Sequence, residues 1–505
     1  MKNKSLTNNT LRIAYEYTNQ LAKQQPYKIQ FIKIRNEFEK GKGFRMNRHY
    51  KAYMNSTPNK NLHRDFRFVR DFSFKNDYMT PRQSVIFWPK AYIYYTFHAF
   101  LLMRLLDKKK FRNSKNTHVL DFSRERIKIF YAGLVDYSSK NIPKNCGYAN
   151  CYEEFQRSLK TFQGSRVLKI DIQDFFSGIT IRRLKNLKKY LNENYILITT
   201  QQNVEFNKII KFYELSGYSS LPQSQGSLAS SIMSQLYLYS FTQKLESIAE
   251  EKDLQIIRYV DDMYIKLPDG FTDKNAWELI SEISSLLWKV GLSINSTKTK
   301  IYDKEEFQKE AEYNGVTVSG RSIRPKLLIS KQIEERVQAI LSNDGEKLLS
   351  FFKAVSQLDQ EKGNDLRSYH SLVQSYFSIN NDNVNKVQNA LIFGKEWNKL
   401  SLKAKSEMLK HPEVLSFDPG KYVYFLLMVE KKVNILTQQQ PLMCIDSYIE
   451  GVLKKVSDND YGVREALMET NYYIQKRKST KDFLEKQDKF QKLSPNFFNY
   501  VKSLI

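Results

Sequence analysis

The chain has 505 residues, with 80 Lys+Arg against 54 Asp+Glu and a formal net charge of +26. A chain this long divides into roughly two to four domains. Its three cysteines exclude a disulfide-framed secreted module and fit a reducing cytosol. The basicity is uneven. Residues 331–505 hold 26 basic and 22 acidic side chains, which leaves 54 against 32 in residues 1–330. A surplus of that kind attracts polyanions of any sequence, although a lysine-rich composition alone adds to the same count.

Residues 1–55 are basic and polar with a helical pattern, and Met1–Tyr17 lacks the apolar core of a signal peptide. Ala91–Leu106 is rich in aromatics and leucines, but it contains His98 and Arg104 and is too short to span a bilayer; it reads as a buried helix. Lys108–Thr117 reads as a polar stretch. Cys146 and Cys151 have no second Cys/His pair nearby, so they read as free thiols rather than zinc ligands. Val167–Phe176, VLKIDIQDFF, is an apolar strand ending in Asp171; Asp174 falls past the strand end and reads as a surface residue. Helices are expected over Ser227–Ile248 and Asn275–Val290. Between them Leu254–Leu267, LQIIRYVDDMYIKL, reads as a β-hairpin with Asp261 and Asp262 at its tip. Beyond Pro325 apolar residues recur at helical spacing, as in Ile333, Val337, Ile340 and Leu341, with breaks at Gly363, Pro412, Pro419-Gly420, Pro441 and Gly462.

Two adjacent carboxylates on a rigid turn repel each other unless a cation neutralises them. Mg²⁺ suits such a pair because it takes hard oxygen ligands and completes its shell with substrate phosphates. An isolated Asp-Asp pair is ordinarily a solvated turn, so the second acidic strand end at Asp171, 90 residues earlier, decides the reading. Two strands that each deliver a carboxylate can hold a pair of metals roughly 3.5–4 Å apart for in-line phosphoryl transfer.

These segments resemble the motifs of reverse transcriptases. VLKIDIQDFF is similar to the first catalytic motif, and RYVDDM to the Tyr-x-Asp-Asp motif. LPQSQGSLASS at Leu221–Ser231 is similar to the Gln-Gly element, GLSINSTKT at Gly291–Thr299 to the Gly-Leu-x-x-Asn-x-x-Lys-Thr motif, and YNGV at Tyr313–Val316 to the primer-grip turn. The resemblance implies Asp171, Asp261 and Asp262 as ligands of two Mg²⁺ ions, with Mn²⁺ as a substitute. It implies Phe176 against C2′ of the incoming sugar, selecting dNTPs, and Gln225 and Gly226 lining the nucleotide pocket. Lys298 would stand near the pyrophosphate, and Tyr313 and Gly315 would hold the primer. The Gln-Gly element departs from the family by two extra residues and by Ser231 in place of a proline, which touches templating geometry. RQSVIFWP at Arg82–Pro89 is only loosely similar to the family's triphosphate-binding element.

The fold class expected is α+β. Residues 1–165 form an N-terminal helical region and fingers, 166–325 a palm with an antiparallel sheet, and 326–505 an all-helical domain whose helix pairs could stack as repeats. A reverse transcriptase core with a long helical C-terminal part resembles the bacterial abortive-infection (Abi) group, in size the compact type carried by P2-like prophages. For that group the resemblance implies antiphage defence in the bacterial cytoplasm, homo-oligomers and no membrane. It also implies template-free DNA synthesis primed by a tyrosine hydroxyl, with single-stranded DNA attached to the protein; no motif marks which of the 32 tyrosines would serve. Two alternatives stay open: a retron-type enzyme copying a structured RNA, and an idle RNA-binding scaffold on a polymerase fold.

Overall fold

The computed structural model describes residues 2–24, 29–40, 48–58, 68–74, 81–106, 112–113, 116–131, 148–223, 227–313 and 495–503, with a few isolated positions between 346 and 401. The chain divides into two compact units, Met1–Phe68 with Val85–Thr317, and Val69–Ser84 with Val318–Ile505.

The first unit begins with α1 (Lys2–Gln24), α2 (Ile29–Lys40) and α3 (Arg48–Asn55). Strands β1 (Phe68–Phe74) and β2 (Pro81–Phe87) pair with each other and lead into α4 (Pro89–Leu105). Pro89 suits the first turn of α4 because its missing N–H has no partner there anyway. The helix is apolar around its whole circumference, so it is buried on every side. It packs against α1 and against α8 (Thr200–Ser216). Among the contacts at its core, His98 Nδ1 lies 2.5 Å from Glu205 Oε2, and Lys208 Nζ donates to Glu205 Oε1 at 2.9 Å. The end of β2 is fixed by one side chain of α2: Gln30 Nε2 donates to the Phe87 carbonyl at 2.8 Å, and its Oε1 accepts from the Phe87 N–H at 2.6 Å.

The short strands β3 (Arg112–Asn113) and β4 (Asn116–Leu120) form a small antiparallel pair where a polar stretch was expected. The central sheet has five strands in the order β5-β7-β8-β6-β9: β5 (Ile127–Phe130), β6 (Val167–Asp171), β7 (Gln255–Tyr259), β8 (Asp262–Lys266) and β9 (Lys300–Tyr302). Four of them pair antiparallel as the sequence implies. The fifth corrects it: β5 lies before residue 166 yet runs parallel to β7, Ile127 opposite Ile256 through Phe130 opposite Tyr259. Only four residues long, with three of them buried, β5 is too short to show a period-2 pattern.

Helices cover both faces of the sheet. Arg258 reaches Gln235 of α9 (Leu228–Tyr237) and Thr242 of α10 (Tyr239–Glu251). The next residue, Tyr259, points the other way, as strand alternation requires. There its ring packs on Tyr152 and Phe155 of α5 (Tyr148–Leu159) at 5.2 and 5.0 Å. The single helix expected over Ser227–Ile248 is broken at Leu238, whose ψ of 7° ends α9 and starts α10. The helix expected over Asn275–Val290 is present as α11 (Asp273–Lys289), started by a capping box between Thr272 and Asn275.

Between these elements lie α6 (Phe175–Gly178) and α7 (Ile181–Glu193), and the described part of the unit closes with α12 (Lys304–Tyr313). Cys151 is buried, and Cys146 lies outside the described residues. Among the described residues no helix is long and apolar enough to cross a membrane. The second unit takes in residues 69–74 of β1 and 81–84 of β2, together with α13 (Pro495–Lys502), whose Phe497, Phe498, Tyr500 and Val501 are buried. The helices expected from residue 326 onward otherwise lie outside the described residues.

Candidate active site

The sheet brings the three sequence-predicted carboxylates to one place. β6 ends at Asp171, and the antiparallel register sets Asp171 directly opposite Asp262, which in turn faces Tyr259. Residues opposite each other in a ladder project to the same face, so Asp171 and Asp262 emerge together. Asp261 occupies the turn between β7 and β8. Its carbonyl accepts from the Ile172 N–H at 3.1 Å, which ties the turn to the end of β6. Val260, just before it, has φ of +53°. That left-handed conformation strains a β-branched residue, and strain of this kind concentrates at functional turns.

The segment Gly291–Thr299 braces the same strand end through its backbone. The Asn295 N–H donates to the Asp171 carbonyl at 2.7 Å, the Gln173 N–H donates to the Ser293 carbonyl at 2.9 Å, and Ile172 bridges to Ile294. Asn295 also organises its own turn, accepting from Thr297 Oγ1 at 2.7 Å on its side chain. That turn presents Lys298, whose Nζ lies 3.5 Å from Asp171 Oδ2 while the side chain stays 61% exposed. Gly291 is favoured by its φ of +73°, and a Cβ there would also push aside the end of the Arg183 side chain, whose guanidinium carbon lies 2.5 Å from that position.

Electrostatics distinguish this turn from an ordinary surface one. Burial, then the charges of Asp262 and Asp171, push the Asp261 carboxyl up to about 7. Lys298 offsets this only in part. Among the described residues no group of three His, Cys, Asp or Glu side chains already forms an ion cage. The donor set still fits a hard divalent cation, because crowded carboxylates in register are the arrangement such an ion relieves.

The remaining predicted residues are distributed as follows. Phe176 sits in α6, just beyond the strand end, half-buried against Phe175 at 5.3 Å between ring centroids. Asp174 is exposed, in a left-handed conformation at the start of α6. Gln225 and Gly226 lie outside the described residues, flanked by Gln223 and by Ser227, which caps α9. Tyr313 ends α12, and Gly315 lies outside the described residues. Sequence reasoning missed Arg258. It is fully buried, donates to Gln235 Oε1 at 2.5 Å and Thr242 Oγ1 at 3.3 Å, and among the described residues pairs with no carboxylate; burial lowers its pKa to about 9. A charged residue inside an otherwise apolar strand was the available signal.

A sheet with carboxylates at adjacent strand ends, helices on both faces and a lysine-bearing turn beside them is an arrangement suited to holding a divalent cation against phosphate groups. Residues 123–318 match the family model described as reverse transcriptase (RNA-dependent DNA polymerase). The match begins just before β5, in keeping with the place of that strand in the central sheet. It supports a reverse-transcriptase-like polymerase activity for this part of the chain, in a family that uses divalent metal ions and binds nucleotides and nucleic acid. A comparison with curated proteins found no match.

Proposed function

We propose that residues 123–318 polymerise dNTPs, with Asp171, Asp261 and Asp262 holding two Mg²⁺ ions for which Mn²⁺ can substitute. The observation behind this reading is the register that sets Asp171 opposite Asp262, with Asp261 at the adjoining turn and its carboxyl raised by burial and then by both acidic neighbours. Bound there, the metal would lower the pKa of the attacking hydroxyl and neutralise charge on the departing pyrophosphate. The protein's own groups then orient the reactants. Lys298 supplies an exposed cation on the Asp171 side, suited to a pyrophosphate oxygen. Phe176 presents an aromatic wall beside the strand end, suited to excluding a 2′-hydroxyl. Gln225 and Gly226 would line the nucleotide, and Tyr313 and Gly315 would hold the primer end.

The finer assignment is an Abi-type enzyme that starts DNA on one of its own tyrosines, needs no template, works as a homo-oligomer in the bacterial cytoplasm and serves antiphage defence. The helical spacing of residues 326–505 supports it over the retron-type reading, whose enzymes usually end soon after the thumb. The test incubates purified protein with Mg²⁺ and labelled dNTPs, without template or primer, and compares denaturing gels before and after protease. Label that stays on the protein and is freed as DNA by protease is the expected result. Label seen only with a primed RNA template, or copying of a defined co-purifying RNA, would give the retron-type reading instead. No product under any condition would leave the scaffold.

A further inference from the structure

The segment Ser220–Gln223, which leads into Gln225 and Gly226, is held from three directions. Its Leu221 N–H donates to the Ile179 carbonyl at 3.0 Å, and Ser220 bridges to Thr180, beyond the end of β6. From the fingers strand, the Val85 N–H donates to the Gln223 carbonyl at 2.8 Å. The third hold is a row of buried hydroxyls. Ser230 Oγ of α9 donates to the Pro222 carbonyl at 2.6 Å, Tyr95 Oη of α4 lies 3.0 Å from Ser230 Oγ, and Tyr213 Oη of α8 donates to Tyr95 Oη at 2.5 Å.

The polarity of this row follows from its end. A carbonyl can only accept, so the Ser230 proton is committed to Pro222; Ser230 must then accept from Tyr95, and Tyr95 from Tyr213. Aligned hydroxyls of this kind polarise one another. All three side chains are 2% exposed or less. Burial raises both phenols far above working pH, so they remain donors. Two other buried helical serines bond within their own helix, Ser234 to the Ser231 carbonyl and Ser284 to the Ile280 carbonyl. Ser230 instead leaves its helix to secure a loop carbonyl eight residues back. The rings are packed independently of their hydroxyls: Phe212 stacks on Tyr95 at 5.3 Å and Tyr213 meets it edge-on at 5.4 Å.

We propose that Tyr213, Tyr95 and Ser230 are positioning residues for the incoming nucleotide, a hydroxyl relay of fixed direction that sets the Pro222 carbonyl and so the entry to the Gln225–Gly226 segment. The proposal rests on the polymerase reading above. It is tested with full-length Tyr95→Phe, Tyr213→Phe, Ser230→Ala and Ser230→Thr, measuring dNTP KM and kcat separately under the conditions in which the wild type incorporates dNTPs, and amide exchange over residues 218–231. Tyr95→Phe and Ser230→Ala are expected to raise dNTP KM by roughly three- to tenfold, the range one lost hydrogen bond supplies, with a smaller change in kcat. Tyr213→Phe should act in the same direction but less, and Ser230→Thr should restore KM. Exchange over 218–231 should quicken in the first two variants. Unchanged KM with only a lowered unfolding temperature would overturn the relay alone and leave a packing role. Wild-type protein that neither incorporates nor binds dNTPs would overturn the polymerase reading and the relay with it.

Discussion

Val260 holds the carboxylate turn in a conformation that suits glycine, yet its side chain is buried. Removing the isopropyl group costs about 2 kcal/mol of burial, and releasing left-handed strain returns about 1–2 kcal/mol. Val260→Ala is therefore expected to be the less stable replacement and Val260→Gly the more stable one, the reverse of the usual order in a strand-rich region; urea denaturation of both variants checks it. Glu205 poses the opposite problem. Burial alone would raise its carboxyl, but His98 and Lys208 hold it below its ordinary value. Because the folded pKa is depressed, its contribution is fully present above the ordinary carboxylate pKa and is lost as pH falls through the folded value. Glu205→Gln should cost about 3–5 kcal/mol at neutral pH, since it leaves a buried lysine without its counter-charge, and should flatten the acid limb of a stability–pH curve. Asp171, Asp261 and Asp262 were legible in the sequence because each acid ends or interrupts an apolar run. Tyr95, Ser230 and Glu205 were not, because their partners are 135 and 107 residues away and nothing local marks them.

At the scale of elements, the hairpin β7–β8 and the helix α4 follow directly from their residue patterns, while β5 does not. Four residues cannot declare a strand, and β5 is defined by its parallel register on β7. The extra edge strand has a local consequence at the site: the Val260 N–H donates to the Phe130 carbonyl at 3.0 Å, so β5 steadies the strained turn from outside. The start of α11 was legible only to within two residues, expected at Asn275 and found at Asp273. Thr272 accepts from the Asn275 N–H at 3.2 Å and starts α11, so Thr272→Ala should cost about 1 kcal/mol, read as a lower thermal midpoint with unchanged incorporation. The break between α9 and α10 was not legible, because Leu238 has no helix-breaking chemistry and only its backbone angles mark it.

Across the whole molecule, the basic surplus of residues 1–330 and the carboxylate cluster form two complementary systems. The first would attract a polyanion without regard to sequence, and the second fits a divalent cation between acid groups that otherwise repel. Binding to single-stranded DNA should weaken steeply as salt rises, with a linear log–log dependence that a fluorescence-anisotropy titration would reveal. Mg²⁺ should raise the thermal midpoint of the wild-type protein and raise that of Asp261→Asn much less. The measurement closest to the central claim is Mg²⁺-dependent dNTP incorporation by wild type, Asp171→Asn and Asp261→Asn under one set of conditions. The account predicts a loss of roughly a thousandfold or more in both variants, the scale of several kcal/mol of lost metal stabilisation, with folding intact. Near-wild-type incorporation by either variant would contradict it.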